Sequence, residues 1–266
     1  MSALFSPVGD PELAKADAES YFSDSKSEQP IDPLPVPSPF IGYIYKRSRY
    51  IQTFRMRYIE ISLKHAKLST YTNKSKVQCT ESVNLKFYDI AKVTDTATIA
   101  ALKGDLKTWD EFALVPHKPD AHPTFLFVSS CFGCWDSAEK GKFVKNAVLC
   151  AMSYRLARSA VIDENYKEAK QHLLLFARNK WTLDRAQKAH SLKQRLTEFE
   201  KWIGAALALP FDTAKASEAE QQCAVLRCWA YFVMNVFGDR CARLGRIYER
   251  ILKINASDGV TLTFYG

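Results

Sequence analysis

The stretch Lys46-Arg47-Ser48-Arg49-Tyr50-Ile51-Gln52-Thr53-Phe54-Arg55-Met56-Arg57 places five cations and no acid within twelve residues. A guanidinium offers a planar fork of donors to phosphate or carboxylate oxygens, and an ammonium offers a compact charge. Together they make an anion-binding chemistry, suited to a multiply phosphorylated headgroup. Lys64, Lys67, Lys74 and Lys76 extend the field, and Glu60 is the only acid between residues 46 and 76.

Those cations act together only if the backbone brings them together. Side chains alternate between the two faces of a strand. On strands flanking a loop, Ile44 and Lys46 share one face, and Arg55, Arg57, Ile59 and Ile61 share the matching face of the return strand. The isoleucines are natural core residues, and the cations continue the same inward face toward the loop end, where a core opens to water. In an antiparallel hairpin Lys46, Arg55 and Arg57 converge at that mouth, with Arg47 and Arg49 overhead.

The flanking sequence has the habit of an antiparallel all-β unit. Residues 41–45, 54–61, 67–72, 83–93, 111–115 and 124–129 are short, rich in β-branched and aromatic types, and separated by polar turns. Residues 94–110 read as a long surface connection. A helix is predicted from Asp136, with Asp136 and Glu139 as a capping box. Phe143, Val144, Ala147, Val148, Ala151 and Met152 form its apolar stripe.

With these elements in place, residues 40–158 resemble a pleckstrin homology (PH) domain. The resemblance rests on Gly42-Tyr43-Ile44-Tyr45-Lys46, a gap of eight residues, Arg55-x-Arg57-Tyr58-Ile59, the third strand Leu68-Ser69-Thr70-Tyr71, and one closing helix. It implies a β-sandwich or barrel capped by that helix, with Lys46, Arg55 and Arg57 as phosphate ligands of a phosphoinositide. Arg47, Arg49, Tyr71 and Lys74 complete the implied set. Two positions depart from the family pattern. Phe143 stands where a Trp is usual, and Thr70 occupies the place of a common Tyr, with Tyr71 one residue further on.

The remaining regions differ in kind. Residues 1–39 hold seven of the eleven prolines and carry 2 basic and 7 acidic side chains, so they read as an extended acidic tail. Residues 40–158 carry 19 basic and 10 acidic side chains, and residues 159–266 carry 16 and 12. The central region is thus the one built to meet a polyanion. Residues 159–266 show helical stripes: Tyr166, Ala169, Leu173 and Phe176, then Leu192, Leu196, Phe199 and Ile203. Val225 to Phe237 is apolar almost all round and predicts a central helix. A last helix carries Leu244, Ile247, Tyr248, Ile251 and Leu252, and residues 259–265 alternate like a brief strand. Short connections favour an up-down bundle.

Several function classes lose ground. No stretch approaches the roughly 20 apolar residues of a membrane-spanning helix. The N-terminus lacks a secretory pattern, and seven cysteines make a disulfide framework improbable. Cys131 and Cys134, with His117 and His122, match no zinc spacing, so no metal and no cofactor is expected. No nucleophile–base pair or phosphate-cradling glycine loop is present, so no enzyme is expected. Aromatics do not interleave with the cations as in nucleic-acid readers, which makes nucleic acid an unlikely partner. Arg243, Arg246, Arg250 and Lys253 share about 80° of helix arc at ~100° per residue. That arc is read as a second membrane patch or, with more weight, a solvated helix face.

The fold expectation is α+β: an acidic tail (1–39), a PH-like domain (40–158) and an α-helical module (159–266). The functional expectation is a non-catalytic, cytoplasmic adaptor. It binds phosphoinositide or another anionic lipid at cytosolic membrane surfaces, and its helical module holds a protein partner. The alternative is a protein-interaction scaffold that does not bind lipid.

Overall fold

The computed structural model describes residues 34–48, 54–91, 110–129, 137–187, 191–238, 241–259, 261 and 263. Seven strands form one antiparallel sheet: β1 (Phe40–Arg47), β2 (Phe54–Ser62), β3 (Lys67–Tyr71), β4 (Cys79–Asn84), β5 (Tyr88–Ala91), β6 (Asp110–Pro116) and β7 (Phe125–Ser129). Their order across the sheet is β4-β3-β2-β1-β7-β6-β5. Strict alternation sets one face inward, with Phe40, Ile44, Ile59, Ile61, Leu68, Val83, Phe112, Leu114 and Phe127 all buried. Among the described residues five long helices follow, so the architecture is α+β.

The first helix, α1 (Ser137–Ile162), does two jobs. Val144, Ala147, Val148 and Ala151 are buried, and the helix packs on β1, β2, β6 and β7. Its later turns bury Tyr154, Ala157 and Ala160. Small alanines let a neighbouring helix come close, and α2 (Tyr166–Gln187) lies along it. Glu164 ends the run with φ of 55°, and the Asn165 side chain accepts from the Glu168 backbone N–H at 3.3 Å to start α2. Asp136 of the expected capping box lies outside the described residues.

The remaining helices are α3 (Leu192–Ala208), α4 (Ala216–Phe237) and α5 (Ala242–Ile254). Ser191 caps α3 in a capping box: Ser191 Oγ accepts from Gln194 N at 3.3 Å, and Ser191 N donates to Gln194 Oε1 at 2.8 Å. The predicted stripes fall largely inward, since Leu173, Phe176, Leu196, Phe199, Ile203, Leu244, Ile247 and Ile251 are buried, whereas Leu192, in the first turn of α3, is exposed. Helix α4 is less enclosed than its composition predicts, with Tyr231 and Phe237 exposed. A tyrosine carries its own hydroxyl to water, and Phe237 is the terminal residue of the helix. Gly259, Thr261 and Thr263 are helical rather than extended. Asp258 Oδ2 accepts from Thr261 N at 2.9 Å, and that cap outweighs the weak alternation of the segment.

The end of the proline-rich region is docked. Residues 34–39 form neither helix nor strand, and Leu34 and Pro37 are buried. Tyr154 Oη donates to the Leu34 carbonyl at 3.4 Å. One apolar core consequently runs from the strap and the sheet's inner face through α1 into the helices.

Candidate anion-binding site

The site follows from the pairing of β1 with β2. Lys46 lies opposite Arg55, and Ile44 opposite Arg57. Residues directly opposite on antiparallel strands point to the same side, so all four share the inner face with Ile59 and Ile61. Toward the β1–β2 loop that face changes from isoleucine to cation, and the core opens into a cavity of about 170 Å³. At ~30 Å³ per water, this is room for roughly five waters, which fits a small polar ring.

Lys46, Arg55 and Arg57 line the cavity together, and Arg47 and Ser48 add its rim. Arg55 is exposed and Arg57 half-exposed; Arg57 Nη1 donates to the neighbouring Met56 carbonyl at 3.0 Å. Lys46 is only 8% exposed. Its ammonium is ion-paired with the Glu81 carboxylate and stands 5.3 Å from the centre of the Phe125 ring.

The Lys46–Glu81 pair reveals the curvature of the sheet. Strands β1 and β4 are three steps apart, which on a flat sheet is roughly 14 Å at about 4.8 Å per strand. Side chains standing perpendicular to a flat sheet would not meet across that gap. The sheet is therefore coiled, folding the inner face of β4 over the loop end of β1. Thr80, beside Glu81, also lines the cavity. Its position is fixed by Thr70, whose Oγ1 lies 2.8 Å from Thr80 Oγ1, and Thr80 Oγ1 donates to the Thr70 carbonyl at 3.1 Å.

Four of the seven residues expected from the sequence meet here: Lys46, Arg47, Arg55 and Arg57. Tyr71 does not. It lies opposite Tyr58, one residue on from the buried Thr70, so it belongs to the outer face, where Tyr43 and Tyr58 stack edge-on at 5.1 Å. The inward place that the family pattern gives a tyrosine is filled here by Thr70. Lys74 is exposed in the β3–β4 turn and does not line the cavity. Arg49 lies outside the described residues. Thr80 and Glu81 were not anticipated. They sit on the fourth strand, more than thirty residues from Lys46, and no local spacing connects them.

The other signals resolve into packing. His117 Nε2 lies 3.3 Å from Asp89, and the His122 ring stacks on Phe87 at 4.9 Å. Cys131 and Cys134 lie outside the described residues. On α5, Arg243 turns into the bundle to meet Glu200 at 3.1 Å, so it does not belong to an open basic arc. Deep between α2 and α4, Lys170 is 1% exposed and donates to Gln222 Oε1 at 2.5 Å. Burial pushes its ammonium down to about 8, against an opposing pull from Glu218.

No family model matches the sequence, and no curated protein matches it. Among solved structures, the chain is similar to the PH domain of human pleckstrin homology domain-containing protein family A member 5. The identity is 19% and the TM-score 0.30, over 48% of this chain and 86% of that one.

Proposed function

We propose that this chain is a non-catalytic adaptor. Its sheet domain binds the phosphoinositide headgroup of a cytosolic membrane leaflet, and its helices hold a protein partner. The observation carrying the reading is the convergence of Lys46, Arg47, Arg55 and Arg57 on one small cavity at the open end of the sheet, against a single carboxylate among the described lining residues. Arg55 and Arg57 are the principal phosphate ligands. Lys46 is already engaged by Glu81, and Arg47 sits where neighbouring anionic lipid would lie. Among the described residues no helix is long and apolar enough to cross a membrane, so attachment would be peripheral. One such site gives modest affinity, and stable residence needs a second contact.

A protein-contact reading has its own support in the outer face of β1 and β2, where Ile41, Tyr43 and Met56 are exposed. Tyr and Met are enriched in protein interfaces. Sedimentation with phosphoinositide liposomes separates the two readings. At about 1 kcal/mol per cation near an anionic surface, Arg55→Ala with Arg57→Ala should weaken binding about 30-fold. Undiminished binding by that double variant would leave the scaffold reading standing. Lys46 is the poorer choice of test, because its removal also frees an acid into the cavity.

A further inference from the structure

A feature inside the cavity bears on which headgroup it takes. Glu81 is on β4, far from the cations in sequence, and the coil of the sheet delivers its carboxylate to the Lys46 ammonium on the wall of the cavity. Both side chains are nearly sealed there, at 9% and 13% exposure. A carboxylate is itself an oxyanion, so the anion position on Lys46 is already filled by the protein. Resting on the headgroup reading above, we propose that Glu81 is a specificity-determining residue that restricts the cavity to headgroups bearing a single ring phosphate.

Charge balance supports this assignment. Among the described lining residues, four cations and one carboxylate leave a net +3. A phosphate monoester carries about −1.5 to −2 near pH 7, and with the −1 of the glycerol-linked diester a singly phosphorylated headgroup brings roughly −3. The charge on the lining residues balances that load. A trisphosphate brings more than twice as much. Its extra groups must either displace Glu81 from Lys46 or lie beside a carboxylate of like charge in a poorly solvated corner. Neutralising Glu81 removes that repulsion and releases Lys46 as a ligand for a further phosphate.

The test compares wild type with Glu81→Gln on two vesicle populations. One contains phosphatidylinositol monophosphate and the other the trisphosphate, with total anionic charge equalised by phosphatidylserine. Glu81→Gln should strengthen trisphosphate binding about tenfold and monophosphate binding less than threefold. Adding Lys46→Gln to that variant should lower the trisphosphate gain to about fourfold, the share owed to lost repulsion, with monophosphate binding near the wild-type level. Equal changes on both vesicles, or no change on either, overturn the assignment while the headgroup reading survives. If wild type and Glu81→Gln both ignore both vesicles, the headgroup reading itself has failed, and this one with it. Soluble inositol phosphates used as competitors should reproduce the same selectivity ratio, and a ratio seen only with bilayers counts against Glu81 as its source. Should Glu81→Gln alone not fold, the Lys46→Gln/Glu81→Gln double variant replaces the ion pair with two amides. Its trisphosphate-to-monophosphate ratio should still rise at least threefold over wild type, and an unchanged ratio is again fatal.

Discussion

Two buried lysines mark the difference between the sheet and the helical region. Lys46 stands at the mouth of the sheet, bordered by a cavity, and its partner is a carboxylate. Lys170 stands between α2 and α4 with a neutral amide for a partner and the Phe211 ring 4.6 Å away. A carboxylate holds its lysine in place, and leaves a strongly polarised corner that an incoming anion must contend with. An amide satisfies one N–H and no charge, so the surrounding core discourages ionisation. The same side chain thereby lines the proposed binding cavity in one region and is a buried packing element in the other. Burial of a lysine says little about its role until its partner and its access to water are known.

The comparison breaks most visibly at Gln222. Gln222→Leu should cost about 3 kcal/mol in chemical denaturation, because it strips the acceptor from a sealed ammonium. A loss under ~1 kcal/mol would mean that Lys170 reaches another acceptor or water. The Lys170→Met/Gln222→Leu pair should recover most of that loss, since removing both partners leaves nothing polar behind.

The pH response gives a further contrast. Lys170 has a folded value near 8 against an ordinary 10.5, so between those values the unfolded chain binds more protons than the folded one. Stability from this group must therefore rise as pH climbs from about 8 toward about 10.5. Wild type should gain roughly 5 °C in Tm on the double variant across that window. A constant gap would show that Lys170 ionises as freely as a surface lysine. At the sheet, Glu81→Gln should cost no more than ~1 kcal/mol, since the amide oxygen of the new side chain can still accept from the Lys46 ammonium. A cost equal to that of Gln222→Leu would erase the distinction between the two lysines. The smallest effect is expected at the strap, where Tyr154→Phe removes one long hydrogen bond to Leu34. Thermal unfolding should show a loss of about 0.5 kcal/mol.

Much of the site was legible before any coordinates. Alternation from Ile44 to Lys46 and from Arg57 to Ile61 already put cations and core on one face, and the observed register pairs Lys46 with Arg55 as a hairpin requires. Tyr71 entered the implied set although alternation from Leu68 puts Thr70 on the inner face and Tyr71 on the outer one, as the observed pairing with β2 has it. Glu81 was invisible. A count of acids along the chain passes over it, since only the coil of the sheet brings it to Lys46. The strap was misjudged for a related reason: Leu34 and Pro37 look like spacer residues until a groove is present to receive them.

The sequence by itself determined everything that repeats over a few residues: the two-residue alternation of the strands, the helical stripes from Val144 to Ile251, and the cationic end of the first hairpin. These follow from backbone geometry that each segment carries with it. Tertiary structure alone decided that Glu81 closes on Lys46, that Lys170 finds Gln222, and that the prolines at 35, 37 and 39 lie in a docked strap. Each of these depends on where the summed burial of a whole core places distant segments, and no short stretch of chain contains that sum.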